Sequence, residues 1–185
     1  KLLSYKKGRN YHPATKTSLA THIAKLNHED NKTLVQNEFL SLRLSSDVLG
    51  KNHVTKFICS HLAELDEPAL LIERFDRTPD NKKFRMEEFA QILSKPCGNS
   101  FWGKYQGSYE EIAEGIKAHS ALPIIDLDRF FKQLVFSVLV GNCDAHFKNF
   151  ALLEDNNNGL RLSPAYDILN TLLYPEKGYS AFLAL

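Results

Sequence analysis

The chain has 185 residues, which is long enough to bury a hydrophobic core and fits one domain or one domain with two lobes. Its 23 Lys and Arg nearly balance 22 Asp and Glu, so the charge does not indicate nucleic acid or an acidic membrane as the main partner. The widely spaced Cys59, Cys97 and Cys143 argue against a disulfide framework or a zinc cluster, and no apolar run reaches the about 20 residues that span a bilayer.

A cytoplasmic protein is therefore expected. The chain begins at Lys1 without an initiator methionine and ends in the apolar segment Ser180–Leu185. We expect from these ends that it is a piece of a longer protein and that catalytic parts lie outside it.

The first half reads as a small sheet with one helix. Alternating or β-rich segments predict three strands, at Leu19–Leu26, Val54–Ser60 and Pro68–Glu73. Apolar residues at a roughly helical period predict a helix from Thr33 to Leu49, and Gly50 provides its stop signal.

The second half reads as mainly helical. Three helices are predicted, at Met86–Leu93, Tyr109–His119 and Asp126–Val140. The almost wholly apolar Leu134–Val140 predicts that the last helix is buried, whereas Ser94–Gln106 predicts an exposed loop. A hairpin is predicted from the short strands Phe150–Leu153 and Leu160–Ser163.

This order predicts an α+β protein with the two-lobed fold of protein kinases. Residues 1–76 would form a small sheet-bearing N-lobe, and residues 77–185 would form a larger helical C-lobe that carries the hairpin.

The segment Gly141–Asn149 follows the apolar helix directly. Phosphoryl transfer needs a carboxylate that orients the acceptor hydroxyl and oxygen ligands that hold magnesium against the phosphates. Asp144 and Asn149 have the spacing of the base and the metal ligand in the kinase catalytic loop. Lys148 lies between them and could neutralise charge on the γ-phosphate.

The predicted hairpin ends at Pro164–Asp167, where kinases place a second metal ligand, so Asp167 is the candidate. Asp-Ile-Leu stands here instead of Asp-Phe-Gly. Each residue also has an ordinary alternative, since Asp144 could be a turn residue, Asn149 could cap a strand and His146 could be a hydrogen-bonded structural histidine. Their joint order favours the functional interpretation.

In the first half, Lys25 on a strand and Glu38 on the next helix match the ion pair that positions the α- and β-phosphates in kinases. Both could equally be surface residues. Glu73–Asp76 ends the last strand of the sheet and lies where a kinase hinge offers backbone groups to adenine.

At this point the sequence resembles the HipA-like serine/threonine kinases of bacterial toxin–antitoxin systems. The matching pieces occur in family order: Thr21–Lys25, Asn37–Leu40, Glu73–Arg77, Met86–Phe89, Gly141–Phe150 and Leu162–Ile168. The combination of Glu-Arg-Phe-Asp-Arg with Asp-x-His-x-Lys-Asn-Phe is the specific part of the match.

The resemblance implies an ATP- and Mg²⁺-dependent protein serine/threonine kinase that arrests growth, as relatives do by modifying an aminoacyl-tRNA synthetase, and a DNA-binding antitoxin partner. It gives Asp144 the role of base, with Lys148 beside it, and makes Asn149 and Asp167 magnesium ligands. The implied nucleotide-binding residues are Lys25, Glu38, Glu73, Arg74, Phe75, His146, Phe147, Lys148, Asn149, Tyr166 and Asp167.

Two family features are expected outside the chain, namely a Ser- and Gly-rich phosphate-binding loop before Lys1 and helices after Leu185. The chain alone is therefore expected to lack efficient activity. Two other functions stay open: a non-catalytic pseudokinase-like interaction module and a small-molecule kinase of the aminoglycoside type. In the latter a His should precede the Asp, but His146 follows Asp144.

Overall fold

The computed structural model describes residues 1–16, 19–63, 65, 67–78, 82–96, 101–155, 159–174 and 184–185. The chain divides into two compact units, Lys1–Lys83 and Phe84–Leu185, and each has its own hydrophobic core. The division follows Lys83 rather than residue 76. Arg77 pairs with Lys83 in an isolated antiparallel β-bridge, which keeps the start of the predicted C-lobe with the first unit.

The first unit is built on a closed barrel with the strand order β1-β2-β4-β5-β3. The strands are β1 (Leu2–Lys7), β2 (Asn10–Pro13), β3 (His22–Leu26), β4 (Phe57–Leu62) and β5 (Glu67–Glu73). Neighbouring strands are antiparallel except β2 and β4, which pair in parallel through Tyr11 and Leu62. These two residues are also part of the core inside the barrel.

The sequence did not predict β1 and β2. In β1 only Ser4 is fully buried, and Leu2 and Leu3 are exposed. The strand therefore lacks the alternation of buried apolar and exposed polar residues by which a strand is predicted from sequence. Gly8 connects the two strands with a positive φ of 62°, a conformation that glycine adopts without steric cost. The sheet is therefore larger than predicted and closed.

The helix α1 (Leu34–Leu49) confirms the predicted helix and packs against β3, β4 and β5. The apolar residues whose spacing predicted this helix do not all lie on its buried face, since Leu44 and Val48 are exposed. The buried face is largely polar and includes Val35, Asn37, Glu38, Ser41, Leu42 and Ser45.

Among the described residues, the second unit combines a small antiparallel sheet, in the order β6-β7-β8, with four α-helices. The elements are β6 (Met86–Glu88), α2 (Phe89–Ile92), α3 (Phe101–Lys104), α4 (Tyr109–His119), α5 (Pro123–Val140), β7 (Ala151–Asp155) and β8 (Gly159–Leu162). The strands β7 and β8 confirm the predicted hairpin, although residues 156–158 of its turn lie outside the described residues.

The predicted single helix at Met86–Leu93 is wrong. Met86–Glu88 pairs with β7 as a strand, and only Phe89–Ile92 is helical. The transition occurs at Glu88, whose side chain accepts from the backbone of Gln91 while the Gln91 side chain accepts from the Glu88 N–H. The predicted loop at Ser94–Gln106 contains the short helix Phe101–Lys104, and residues 97–100 lie outside the described residues.

The helix α5 starts at Pro123, earlier than predicted, since proline suits the first turn of a helix. The expectation of a wholly buried second half is wrong, because Val138 and Leu139 are 55% and 78% exposed. The helix contacts α4 and β8 with one side, which also carries the buried polar residues Asp126 and Gln133. Within the described part of the chain, no helix combines the length and hydropathy that crossing a membrane requires.

Candidate active site

A left-handed glycine turns the chain from α5 into the predicted catalytic loop. Gly141 has φ 72° and ψ 35°, and the next N–H, of Asn142, donates to the carbonyl of Ser137 at 2.9 Å. A Cβ at Gly141 would lie 3.0 Å from both Asn170 Oδ1 and Leu172 Cδ1. Glycine therefore serves both the backbone conformation and the close packing of the loop against residues 170–172.

Asp144 is the centre of a dense set of hydrogen bonds. Its carbonyl oxygen accepts from the His146 N–H at 2.9 Å and from Asn149 Nδ2 at 2.7 Å, while its N–H donates to Asn142 Oδ1 at 3.3 Å. Its carboxylate oxygen Oδ1 accepts from the hydroxyl of Tyr105 at 2.5 Å. The side chain remains 25% exposed, so a substrate group can reach a carboxylate whose backbone is fixed.

His146 is a buried part of the loop, and its ring supports the next turn. Nδ1 accepts from the N–H of Lys148 at 3.3 Å and so caps a short 3-10 helix, Phe147–Asn149. Burial lowers the pKa of His146, an effect that the negative charge of Asp144 only partly opposes. The geometry therefore supports the alternative that His146 is a hydrogen-bonded structural residue. Contact of His146 with a nucleotide remains a prediction.

Lys148 and Asn149 belong to this 3-10 helix. Because Asn149 Nδ2 donates to Asp144, the carboxamide oxygen is the atom that would bind a metal. Tyr166 fixes the same turn, since its hydroxyl donates to the carbonyl of Lys148 at 2.9 Å. Burial, together with the charges of Glu88 and Asp167, raises the pKa of Tyr166 well above its ordinary value, so the hydroxyl stays a donor.

Asp167 has a positive φ of 52°, which is uncommon for a residue with a side chain. Such conformations persist where surrounding structure holds them, often at functional sites. Glu88 belongs to the same electrostatic cluster: burial raises its pKa, Lys148 lowers it and Asp167 raises it. No role for Glu88 was predicted from the sequence; the local signal there is its position before Phe89, with Gln91 completing a capping box.

Phe147 was predicted to contact the nucleotide, but its side chain is fully buried in the hydrophobic core. Lys95 lies over the ring with its Nζ 4.7 Å from the centroid and also pairs with Glu111 at 2.9 Å. The side chain of Phe147 thus anchors the loop, and only its backbone is left for a nucleotide.

In the first unit the structure brings the predicted pair Lys25 and Glu38 together. The ammonium of Lys25, on β3, donates to Glu38 Oε1, on α1, and the side chains are only 11% and 8% exposed. A charge pair this shielded from water is not the ordinary surface feature that the sequence left open. It places a fixed ammonium beside the barrel.

Some backbone groups of the predicted adenine-binding segment Glu73–Phe75 form hydrogen bonds within the first unit. The N–H of Glu73 donates to Lys56 and that of Arg74 donates to Thr21, both at 2.9 Å. The guanidinium of Arg74 makes two hydrogen bonds to Asp76, at 2.9 and 2.7 Å. Asp76 also accepts from Arg77 at 2.6 Å, so the Arg, Asp and Arg of the Glu-Arg-Phe-Asp-Arg motif form an ion cluster around Phe75.

The donor set of the second unit suits magnesium. Mg²⁺ prefers oxygen ligands and is usually held by one or two carboxylates together with substrate phosphates. Asn149 offers an amide oxygen and Asp167 a carboxylate. Among the described residues, no group of three or more His, Cys, Asp or Glu side chains is placed to hold a metal ion.

Comparison with known proteins shows the family of the chain. The family model described as HipA-like C-terminal domain matches residues 1–185. The chain belongs to this family. A putative kinase of Sinorhizobium fredii is 38% identical over 117 residues, which cover 62% of the chain and 27% of that protein. The serine/threonine-protein kinase toxin HipA of Shewanella oneidensis is 28% identical over 192 residues, covering 95% of the chain and 42% of the toxin.

Solved structures of HipA-like and other kinases share the fold. A Shewanella oneidensis complex of HipA, HipB and operator DNA contains a chain that matches with a TM-score of 0.77 and 26% identity, covering 100% of this chain and 45% of that one. The Helicobacter pylori proinflammatory kinase CtkA matches with a TM-score of 0.64 and 14% identity over 94% of this chain and 55% of its own. The chain thus has a kinase-like fold of mixed helix and sheet, and it spans less than half the length of the curated relatives described above.

Proposed function

We propose that this HipA-like protein is an ATP- and Mg²⁺-dependent protein serine/threonine kinase with the two-lobed kinase arrangement. The observation that carries the proposal is the loop Asp144–Asn149. There the carboxamide of Asn149, the proposed metal ligand, is held by the hydrogen bond from its Nδ2 to the backbone carbonyl of Asp144, whose carboxylate is partly exposed. This is the arrangement that phosphoryl transfer needs, because its catalysis depends on positioning and charge stabilisation.

In this function Asp144 accepts the proton of the acceptor hydroxyl, and Lys148 stabilises charge on the transferred phosphoryl group. Asn149 and Asp167 hold Mg²⁺. Two further groups act on the nucleotide.

Lys25, held by Glu38, binds the α- and β-phosphates, and the Glu73–Phe75 segment lines the adenine site. The shielded Lys25–Glu38 pair supports this role, since the carboxylate fixes the ammonium in one position. In the second unit, His146, the Phe147 backbone and Tyr166 serve nucleotide binding by fixing the loop that carries Lys148 and Asn149.

The biological role extends the family relationship. We propose that the protein arrests growth by phosphorylating a cytoplasmic protein, with an aminoacyl-tRNA synthetase as the candidate, and that a DNA-binding antitoxin restrains it. A named toxin among the relatives, and a related chain solved together with HipB and operator DNA, support this proposal.

The test is phosphate transfer by the full-length gene product. Purified protein is incubated with labelled ATP, with and without Mg²⁺, and with a bacterial lysate whose modified serines and threonines are located by mass spectrometry. Transfer should require Mg²⁺ and disappear in Asp144→Asn. The matched control is Asp128→Asn, which changes a carboxylate on α5 that is 57% exposed. Mg-ATP binding without any transfer would instead indicate a pseudokinase.

A further inference from the structure

The two oxygens of the Asp144 carboxylate are not equivalent. Oδ1 accepts the hydroxyl hydrogen of Tyr105 at 2.5 Å, and His146 Nε2 lies 3.8 Å from the same atom. Among the described residues, Oδ2 accepts no hydrogen bond. One side of the carboxylate is thus held by the protein, whereas the other is the side that an acceptor hydroxyl can approach.

His146 contributes to this asymmetry through its tautomer. Because Nδ1 accepts from the Lys148 N–H, a neutral ring carries its hydrogen on Nε2, which lies nearer Asp144. The ring also packs edge-on against Tyr105, with the centroids 5.1 Å apart and the planes at 75°. Tyr105 and His146 therefore support each other and the Oδ1 side of Asp144.

We propose that Tyr105 is a positioning residue for the base: its hydroxyl holds Oδ1 of Asp144 so that Oδ2 takes the proton of the acceptor hydroxyl. This inference rests on the proposed kinase function. In the transfer step the acceptor oxygen bonds to the γ-phosphorus, the bond from that phosphorus to the ADP oxygen breaks, and the acceptor proton passes to Oδ2. Tyr105 keeps its own proton throughout.

This role accounts for Tyr105, which lies in the segment Ser94–Gln106 that was predicted to be an exposed loop. Tyr105 directly follows α3, and its hydroxyl reaches across 39 positions of sequence to the catalytic loop. A hydrogen bond to an ionised partner is stronger than one between neutral groups and restricts the rotation of the carboxylate. Misplacing a reacting group by about 1 Å can cost about 100-fold in rate, so losing this contact should be visible in turnover.

The experiment compares Tyr105→Phe with Tyr109→Phe in the full-length gene product. Tyr109 is a matched control because its hydroxyl donates to the carbonyl of Ala145 at 2.9 Å and so supports the same loop without touching the carboxylate. Tyr105→Phe should lower kcat about 10- to 100-fold with an unchanged KM for ATP. Tyr109→Phe should keep kcat within about threefold. Thermal unfolding of each variant checks that the fold is retained.

The other outcomes separate this inference from the function on which it rests. Wild-type turnover in Tyr105→Phe, an increase in kcat, or equal losses in the two tyrosine variants would overturn the role of Tyr105. If Asp144→Asn is inactive while Tyr105→Phe is fully active, the kinase proposal stands and only the positioning role falls. If the wild-type protein transfers no phosphate, or if Asp144→Asn transfers it normally, both proposals fall.

Discussion

The side-chain hydroxyl of Thr171 donates a hydrogen bond to the carbonyl oxygen of Gly141 at 3.1 Å, and the Thr171 N–H donates to the same oxygen at 3.0 Å. The hydroxyl also accepts from the N–H of Cys143 at 2.8 Å. Thr171 is 2% exposed. A buried threonine therefore fastens the start of the catalytic loop to the segment that follows Asp167.

Replacing Thr171 with Val, which has nearly the same shape, should loosen this attachment. The change leaves the partly buried Cys143 amide without its acceptor, at a cost of about 1–3 kcal/mol in the free energy of unfolding. Hydrogen exchange of the Cys143 amide should become faster. Thr55→Val is the control, because Thr55 is equally buried in the first unit, and it should leave that amide unchanged. Unchanged exchange in Thr171→Val would contradict the fastening role.

Asp126 should stabilise the second unit in a pH-dependent manner. It is fully buried and accepts two hydrogen bonds from Arg161, at 2.9 and 3.0 Å, and one from Arg129 at 3.0 Å. Burial raises the pKa of Asp126, whereas the hydrogen bonds and positive charge of its partners lower it, with the bonds from Arg161 and Ser120 contributing most. Together the lowering effects are larger, so the pKa of Asp126 lies below its ordinary value. The folded state thus favours the ionised carboxylate.

Asp126→Asn should therefore lower the free energy of unfolding by about 3–5 kcal/mol at pH 7, because it leaves buried arginine charge uncompensated. Since the folded pKa lies below the unfolded value of about 3.9, the contribution is complete above about pH 4 and is lost as the pH falls further. Urea unfolding can be followed through Trp102, the single tryptophan. A difference between the two proteins that stays constant down to pH 2 would contradict this linkage.

Lys25→Ala should weaken ATP binding or turnover, because it removes the ammonium that we propose binds the phosphates and takes away a partner of Glu38. A thermal-shift titration with Mg-ATP and a turnover assay measure the two effects. Lys132→Ala is the control, since it removes a lysine that is 61% exposed and pairs with Asp128 on the surface of α5. Equal behaviour of the two lysine variants would make Lys25 a purely structural residue.

Asp167→Asn should abolish the Mg²⁺-dependent part of ATP binding and of phosphate transfer while the fold survives. Asparagine tolerates the left-handed conformation of residue 167 and keeps its size, so the change removes mainly charge. Calorimetric titration with ATP, with and without Mg²⁺, separates metal-dependent from metal-independent affinity. Retention of the full Mg²⁺ effect would exclude Asp167 as a metal ligand.

Local signals gave reliable predictions where they are strong. The helix at Tyr109–His119 is observed with the predicted bounds, and Ser108 with Glu111 forms a capping box at its start. The hairpin after the catalytic loop was equally readable, since a polar turn with Gly159 separates two apolar runs. Local signals failed for β1, because its pairing with β3 is set by distant residues and only Ser4 on it is buried.

The sequence by itself determined the family, the three long helices, the hairpin after the catalytic loop and the spacing of Asp144, Asn149 and Asp167, because these depend on residue type and local periodicity. Which side chains contact one another was decided only by the tertiary structure. It paired Lys25 with Glu38, brought the Tyr105 hydroxyl to Asp144 and put Glu88 near Lys148. It also buried Phe147. Such contacts join residues far apart in the chain, and their geometry follows from how whole elements pack rather than from any local pattern.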